Sequence, residues 1–342
     1  MSLARPIFLS IPESRDEYGI GHITRQCVLV NFLRNIGIEA YLVLPNQLPN
    51  RNFFLGKLLI NRLDQKYLLS YSDVENKLKE NKFKPRFIID SYYFQDILNV
   101  FDLDIEKIIL FDDLGFMNEF HNLYSLVVPN ICLPEQIDIL RLAGAKNLIF
   151  GSDAILIPSE FNLKKDVKLD LARKKRNRLK TVDKNRALKI IIGFGGSDMI
   201  LDRYIDVIQE KIFILYQRVN SVEISCFGQT SSKILKKLGL KHINIGWLDP
   251  VGLKKLYSQS DLYIGSIGYS MWERASMLVP SFVLPITDNQ IPYLRVGEEL
   301  NIHKDISSLD NNWNEIANEL LNGAFDLNIS CNAFTCFKDI DL

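Results

Sequence analysis

The chain is poor in the residues and runs that mark several whole classes of protein. Its 342 residues include five cysteines, at 27, 132, 226, 331 and 336, and no two stand as Cys-x-x-Cys. That spacing offers no zinc or redox motif, and an odd number of thiols fits a reducing compartment, so a cytoplasmic location is expected. No apolar run reaches the roughly 18 residues that a membrane span needs. The opening MSLARPIFLSIPESRDE has a short apolar stretch but no small-residue cleavage site, so it reads as a first β-strand and not as a signal peptide. An excess of one charge is also missing, since 41 basic residues meet 41 acidic ones. A nucleic-acid partner, which needs a basic surplus, is therefore not expected.

What is present is a globular composition, 47% hydrophobic and 24% charged, in a chain long enough for two domains. Short apolar runs alternate with amphipathic ones. PIFLSI is followed by a helical pattern from Ile23 to Ile36, then EAYLVL; RFIIDSYY, KIILFDD, LYSLVVPN and AILIPS repeat the design of an apolar strand with a polar end. Strands alternating with helices predict a parallel sheet covered on both faces, with ligands at the carboxyl ends of the strands. Those ends carry Asp90, Tyr92, Asp112, Asp113 and Asn130. Residues 162–186 are strongly basic with almost no core and read as a solvated helix and linker. A second alternating block follows, ALKIIIGFGGSD, SVEISCFGQ, HINIGWLD, DLYIGSIGYSMWERA and PSFVLPITDNQ. The expected fold class is α/β, with two Rossmann-like doubly wound domains facing a cleft. The expected boundaries are 1–163 for the first domain, 164–187 for a basic linker, 188–325 for the second domain and 326–342 for a tail.

Four stretches could carry chemistry. GFGGSD, Gly193 to Asp198, is a strand end before a helix, where small residues let backbone amides approach a phosphate. It lacks the Lys-Ser or Lys-Thr of a P-loop. GSIGYSMWERA, Gly265 to Ala275, has the same form. Its Ser270 and Glu273 make either a capping box or a pair of ligands, Glu273 accepting from two ribose hydroxyls. PITDNQ places Asn289 and Gln290 at a third strand end. His22 is the only histidine in the first hundred residues. It stands after Gly19 and Gly21 at a helix start, with Arg25 one turn on, where a neutral imidazole could take a proton. Asp102 and Asp104 precede a strand and read as loop acids, so no metal site is expected.

The motifs GIGHITR, IIDSYY, LFDD, LIPSEF, GFGGSD, GYSMWE and DNQ occur in an order that resembles the UDP-sugar hydrolases of pseudaminic acid biosynthesis. Those enzymes are similar to the UDP-GlcNAc transferase of peptidoglycan synthesis and have the GT-B fold. The resemblance covers about residues 5–300. It implies that His22, presented by Gly19 and Gly21, is the base, that Tyr92 orients the water or the sugar, and that Gly19, Gly21 and Asp90 contact the substrate. It also implies that Gly195, Gly196, Ser197, Asp198, Gly268, Ser270, Glu273, Asn289 and Gln290 hold the nucleotide sugar, without a metal or other cofactor. The implied reaction is hydrolysis of a UDP-linked deoxy amino sugar at the anomeric carbon, in nonulosonic acid or surface polysaccharide biosynthesis. The alternative is a glycosyltransferase using the same base on an acceptor hydroxyl. NRNFFLGKLLINRL, residues 50–63, would then suit a peripheral membrane contact with a lipid-linked acceptor.

Overall fold

A computed structural model of the chain describes residues 7–13, 21–45, 63–79, 85–112, 123–132, 137–138, 140–141, 144–194, 204–246, 248–327 and 329. They fall into two compact units, divided between Ile157 and Pro158.

The first unit runs β1 (Ile7–Pro12), α1 (Gly21–Asn35), β2 (Glu39–Leu44), β3 (Leu68–Ser70), α2 (Tyr71–Lys79), β4 (Pro85–Asp90), α3 (Phe94–Phe101), β5 (Ile108–Phe111), β6 (Ser125–Val128) and β7 (Asn147–Phe150). Its strands form one parallel sheet in the order β3-β2-β1-β4-β5-β6-β7. Every residue of β5 and β6 is buried, as the unbroken apolar runs require of strands covered on both faces. Leu9, Ile11, Val43, Phe87, Ile89 and Leu110 sit at the centre of the core. α1 stops at Gly37, whose φ of +83° is open to glycine at little cost. There Ile38 N–H donates to Leu33 O at 2.9 Å and Gly37 N–H to Arg34 O at 3.0 Å, the paired bonds of a Schellman ending. Asp102, with φ +47°, closes α3, and Asp104 Oδ1 accepts from Glu106 N–H at 3.0 Å.

The second unit runs α4 (Lys165–Asn185), β8 (Leu188–Gly193), α5 (Ile205–Arg218), β9 (Val222–Phe227), α6 (Gly228–Lys237), β10 (Ile243–Asn244), α7 (Pro250–Gln259), β11 (Leu262–Ser266), α8 (Met271–Ser276), β12 (Ser281–Leu284), α9 (Ile291–Glu299), β13 (His303–Asp305) and α10 (Trp313–Asp326). Its sheet is parallel in the order β10-β9-β8-β11-β12-β13. Counted from β8, this is the doubly wound order of a dinucleotide-binding fold, and the first six strands of the other sheet follow it too. The order reverses between β1 and β4 in one sheet and between β8 and β11 in the other.

The basic segment lies in α4, and its cations are used inside the second unit. Lys175 is 1% exposed, and its Nζ donates to Tyr257 O at 2.8 Å and Ser260 O at 2.7 Å, carbonyls left over at the end of α7. Lys168 Nζ does the same for α10, donating to Phe325 O and Leu327 O at 2.8 Å each. Arg178 donates to Ser258 O at 2.8 Å and Arg186 to Asp261 Oδ2 at 2.7 Å. Ala172, Leu179 and Val182 provide the helix with an apolar seam. Among the described residues, no helix is long and apolar enough to cross a membrane.

Candidate functional site

At the switch point of the first sheet, Pro12 at the end of β1 pairs with Asp90 at the end of β4. Asp90 is fully buried. α1 starts nearby, and His22, Arg25 and Gln26, spaced three and four residues apart, share one face of its first turns. All three reach Asp90. His22 Nδ1 lies 2.7 Å from Oδ1. Arg25 donates from Nε to Oδ2 at 2.5 Å and from Nη2 to Oδ1. Gln26 Nε2 donates to Oδ2 at 2.8 Å, and Ser10 Oγ of β1 orients that amide by donating to Gln26 Oε1 at 2.6 Å.

This donor set decides the charge of the carboxylate. Burial alone would raise the Asp90 carboxyl, but the Arg25 guanidinium and His22 overcome it and hold the group below the usual carboxylate range. An ionised carboxylate only accepts, so the short contact assigns the proton to His22 Nδ1. Arg25 Nη2 also stands 3.0 Å from that nitrogen. A guanidinium cannot accept, so the Nδ1 proton goes to Asp90. The contact thereby fixes the orientation of the imidazole ring. Tyr92 meets it edge-on, with ring centroids 5.1 Å apart and an interplanar angle of 77°.

A second buried pair adjoins the first. Glu13, just past β1, donates its backbone N–H to Asp90 O at 2.6 Å, and its carboxylate accepts from Ser91 Oγ at 2.6 Å. The sequence reading assigned no role to Arg25 and overlooked Ser10, Glu13, Gln26 and Ser91. Only the spacing of Arg25 and Gln26 from His22 was a signal for them. Asp112 follows β5 directly and Asn130 stands two residues past β6, at the expected strand edge, and both are buried.

At the switch point of the second sheet Gly193 pairs with Gly265. The strands approach so closely that a Cβ on Gly265 would stand 1.9 Å from Gly193 O, which explains this glycine by packing alone. Tyr263 OH donates to the same carbonyl at 2.6 Å. Past β11 come Gly268 and Ser270. The Ser270 side chain makes no capping bond to α8; its Oγ instead accepts from Arg274 Nη1 at 2.8 Å. The Ser-x-x-Glu capping box is therefore not made, and Glu273 is buried without it. Gln290 Oε1 accepts from Ile286 N–H at 3.0 Å and ties off the third turn, in which Asn289 also lies. A Cβ added at Gly21 or Gly268 would meet nothing within 4 Å, so neither glycine is demanded by neighbouring described atoms.

Gly19, Asp113, Gly195, Gly196, Ser197 and Asp198 lie outside the described residues, as do residues 50–62 of the apolar and basic stretch. Among the described residues, no three or more His, Cys, Asp or Glu side chains form a group able to hold a metal ion.

No protein-family model and no curated protein matches the chain. Solved structures do match over nearly its whole length. A putative UDP-N-acetylglucosamine 2-epimerase from Listeria monocytogenes is 14% identical, with 98% of this chain and 95% of that one covered and a TM-score of 0.61. MurG from Acinetobacter baumannii is 11% identical, with 98% and 99% covered and a TM-score of 0.58. S. aureus MnaA, solved with UDP, is 11% identical, with 97% and 95% covered and a TM-score of 0.62. Likeness at such identity is likeness of fold, and the fold of the chain is GT-B, with two Rossmann-like units.

Proposed function

We propose that the chain is an enzyme acting on a UDP-sugar, with His22 as the base that takes a proton from the nucleophile attacking the anomeric carbon. The observation that carries this reading is the His22–Asp90 pair. It is a buried, charge-clamped carboxylate fixing one imidazole tautomer at the strand-end switch point, where ligands of this topology bind. A packing histidine has no need of a carboxylate saturated by Arg25 and Gln26. The solved proteins of similar fold that hold UDP or UDP-L-rhamnose support the choice of ligand.

In this reading the second unit holds the nucleotide. The turns at Gly195–Asp198 and Gly268–Ser270 take the diphosphate, Glu273 takes the ribose hydroxyls, and Asn289 and Gln290 contact phosphate or sugar oxygens. The first unit supplies His22, and Tyr92 orients water or sugar. Water gives its proton to Nε2 as its oxygen bonds to the anomeric carbon. The bond from that carbon to the phosphate oxygen breaks, and UDP leaves with the electron pair, needing no protonation. Direct attack inverts the centre. The substrate of this reading is a UDP-linked deoxy amino sugar, used in nonulosonic acid or surface polysaccharide biosynthesis.

Transfer to an acceptor hydroxyl uses the same atoms, and the fold shared with MurG favours it as the second reading. Incubation of the purified chain with UDP-sugars, with and without acceptor extract, separates the two. UDP released with free sugar and no acceptor supports the hydrolase. Release that depends on the extract means a transferase, and isomerised UDP-sugar without UDP release means an epimerase. No conversion of any UDP-sugar would remove the whole reading.

A further inference from the structure

Arg274 is one of the most deeply buried cations of the second unit, 1% exposed. Burying a charge is costly unless it is paired. Yet among the described residues no carboxylate bonds it. Nη1 donates to Ser270 Oγ at 2.8 Å, and Nε and Nη2 are buried without an acceptor. The Arg274 Cζ stands over the Tyr263 ring, 3.9 Å from its centroid, where the ring face offsets part of the cost. Tyr263 OH in turn holds Gly193 O, the carbonyl at the end of β8. One buried cation thus underlies both strand ends of the switch point.

The chemistry of Ser270 follows from this. A guanidinium only donates, so the serine oxygen is the acceptor and its own O–H proton is turned away from Arg274. The charge also polarises that hydroxyl and strengthens it as a donor. Ser270 is half-buried, at the first turn past β11. A hydroxyl held in this way suits a ligand that accepts, and an anion suits it best.

We propose that Arg274 is the positioning residue of this turn, holding Ser270 as a hydrogen-bond donor to a diphosphate oxygen. The inference rests on the reading of the second unit as the nucleotide unit. It explains why an orphaned cation is kept beneath a turn that packing alone would leave apolar.

The test is calorimetry on the full chain with UDP, uridine and inorganic pyrophosphate, using Arg274→Met, Arg274→Lys, Ser270→Ala and the double variant Ser270→Ala/Arg274→Met. Arg274→Met and Ser270→Ala are each expected to weaken UDP about tenfold and uridine less than about twofold, the loss of a charge-assisted contact to the diphosphate alone. The double variant should bind UDP about as well as the weaker single variant, because the arginine acts through the serine. Equal losses for UDP and uridine would make Arg274 merely structural and overturn the proposal. So would a folded Arg274→Met chain with unchanged UDP affinity, or losses that multiply in the double variant. Should Arg274→Met fail to fold, Arg274→Lys replaces it in the cycle under the same criteria. A wild-type chain that binds neither UDP nor uridine defeats the nucleotide reading instead, and the same variants then decide the Arg274 proposal with pyrophosphate. Absence of pyrophosphate binding as well overturns it.

Discussion

His22 and Asp90 are 68 positions apart in the chain, yet His22 Nδ1 stands 2.7 Å from Asp90 Oδ1. Two ordinary features bring them together. β4 runs beside β1 in register, which carries Asp90 to the level of Pro12, and α1 returns its first turn to the same strand ends. The pair is a product of doubly wound topology, and each partner acts on the other. Asp90 fixes the tautomer, and Arg25 with Gln26 keeps Asp90 ionised and still.

His22→Asn tests the base directly. Loss of a general base typically costs 10²–10⁴-fold in turnover, and that is the expected fall in UDP release. UDP affinity is expected to stay within about twofold, because the nucleotide contacts are assigned to the second unit. Near-normal turnover in a folded variant would end the proposal. A loss explained wholly by weaker UDP binding would make His22 a ligand contact.

Asp90→Asn should behave differently, lowering both turnover and stability. An amide in place of the carboxylate can present its NH₂ to Nδ1 and so favour the other tautomer. It also removes the buried carboxylate that Arg25, His22 and Gln26 share, and breaking a buried ion pair costs about 3–5 kcal/mol. Thermal unfolding monitored beside activity checks both effects. A stable Asp90→Asn chain with low turnover would mean that Arg25 is paired elsewhere.

The strands and the doubly wound order were legible because unbroken apolar runs ending in polar residues mark buried parallel strands. His22, Asp90 and Tyr92 could be singled out for the same reason, standing at a helix start and a strand end. The donors around Asp90 were not legible, since Ser10 hides inside an apolar strand and Gln26 inside a helix, and only pairing in space gives either a role. The basic segment misled for a related reason. Lys168, Lys175 and Arg178 look solvated in a row of charges, and nothing local shows that they bond carbonyls about 80 to 160 positions away. Ser270 and Glu273 fit the spacing of a capping box, but the competitor that takes the serine, Arg274, lies within the same motif.

Glu273→Ala should weaken UDP binding about tenfold or more, if it accepts from the ribose as a charged contact worth about 1.5–3 kcal/mol. The loss should appear equally with uridine, which carries the same ribose. That separates it from the effect at Arg274, confined to the diphosphate. Unchanged affinity for both ligands in a folded variant removes the ribose role.

Acid should destabilise the chain in two separate windows. Burial pushes the His303 imidazole down to about 3, with the Arg274 charge adding to it against the carbonyl of Leu294. Between pH 6.5 and about 3 the unfolded chain binds a proton that native His303 refuses. Stability then falls with decreasing pH, by about 1.4 kcal/mol per unit for one such group. Asp90 acts in the same sense, in a lower window. Its depressed carboxyl adds stability above the ordinary carboxylate value near 3.9, and that stability is lost only as pH falls toward the lower native value. Thermal midpoints taken from pH 7 to 4.5 should therefore report His303 and not Asp90. His303→Leu should flatten that slope, whereas an unchanged slope would show that other groups set it.

Lys175→Ala tests whether α4 is part of the second unit's framework. The Lys175 Nζ caps α7 through the Tyr257 and Ser260 carbonyls. Burial, with the Arg178 charge beside it, pushes this amine well below its usual range, so keeping it there has a cost that the two bonds must exceed. Truncation removes that cost but strands the Tyr257 carbonyl, leaves Ser260 O with only the longer bond from Arg178 Nη2 at 3.3 Å, and empties the space of the side-chain stem. An unsatisfied buried group costs about 1–3 kcal/mol, and the net loss is expected in that range. For a unit of this size about 1 kcal/mol moves the midpoint by about 2–4 °C, so a drop of several degrees is expected. Lys174→Ala, one position earlier and exposed, should stay within about 0.5 kcal/mol of the parent chain. If the two variants unfold at the same temperature, Lys175 contributes no more than a solvated lysine, and the capping role assigned to the basic helix is wrong.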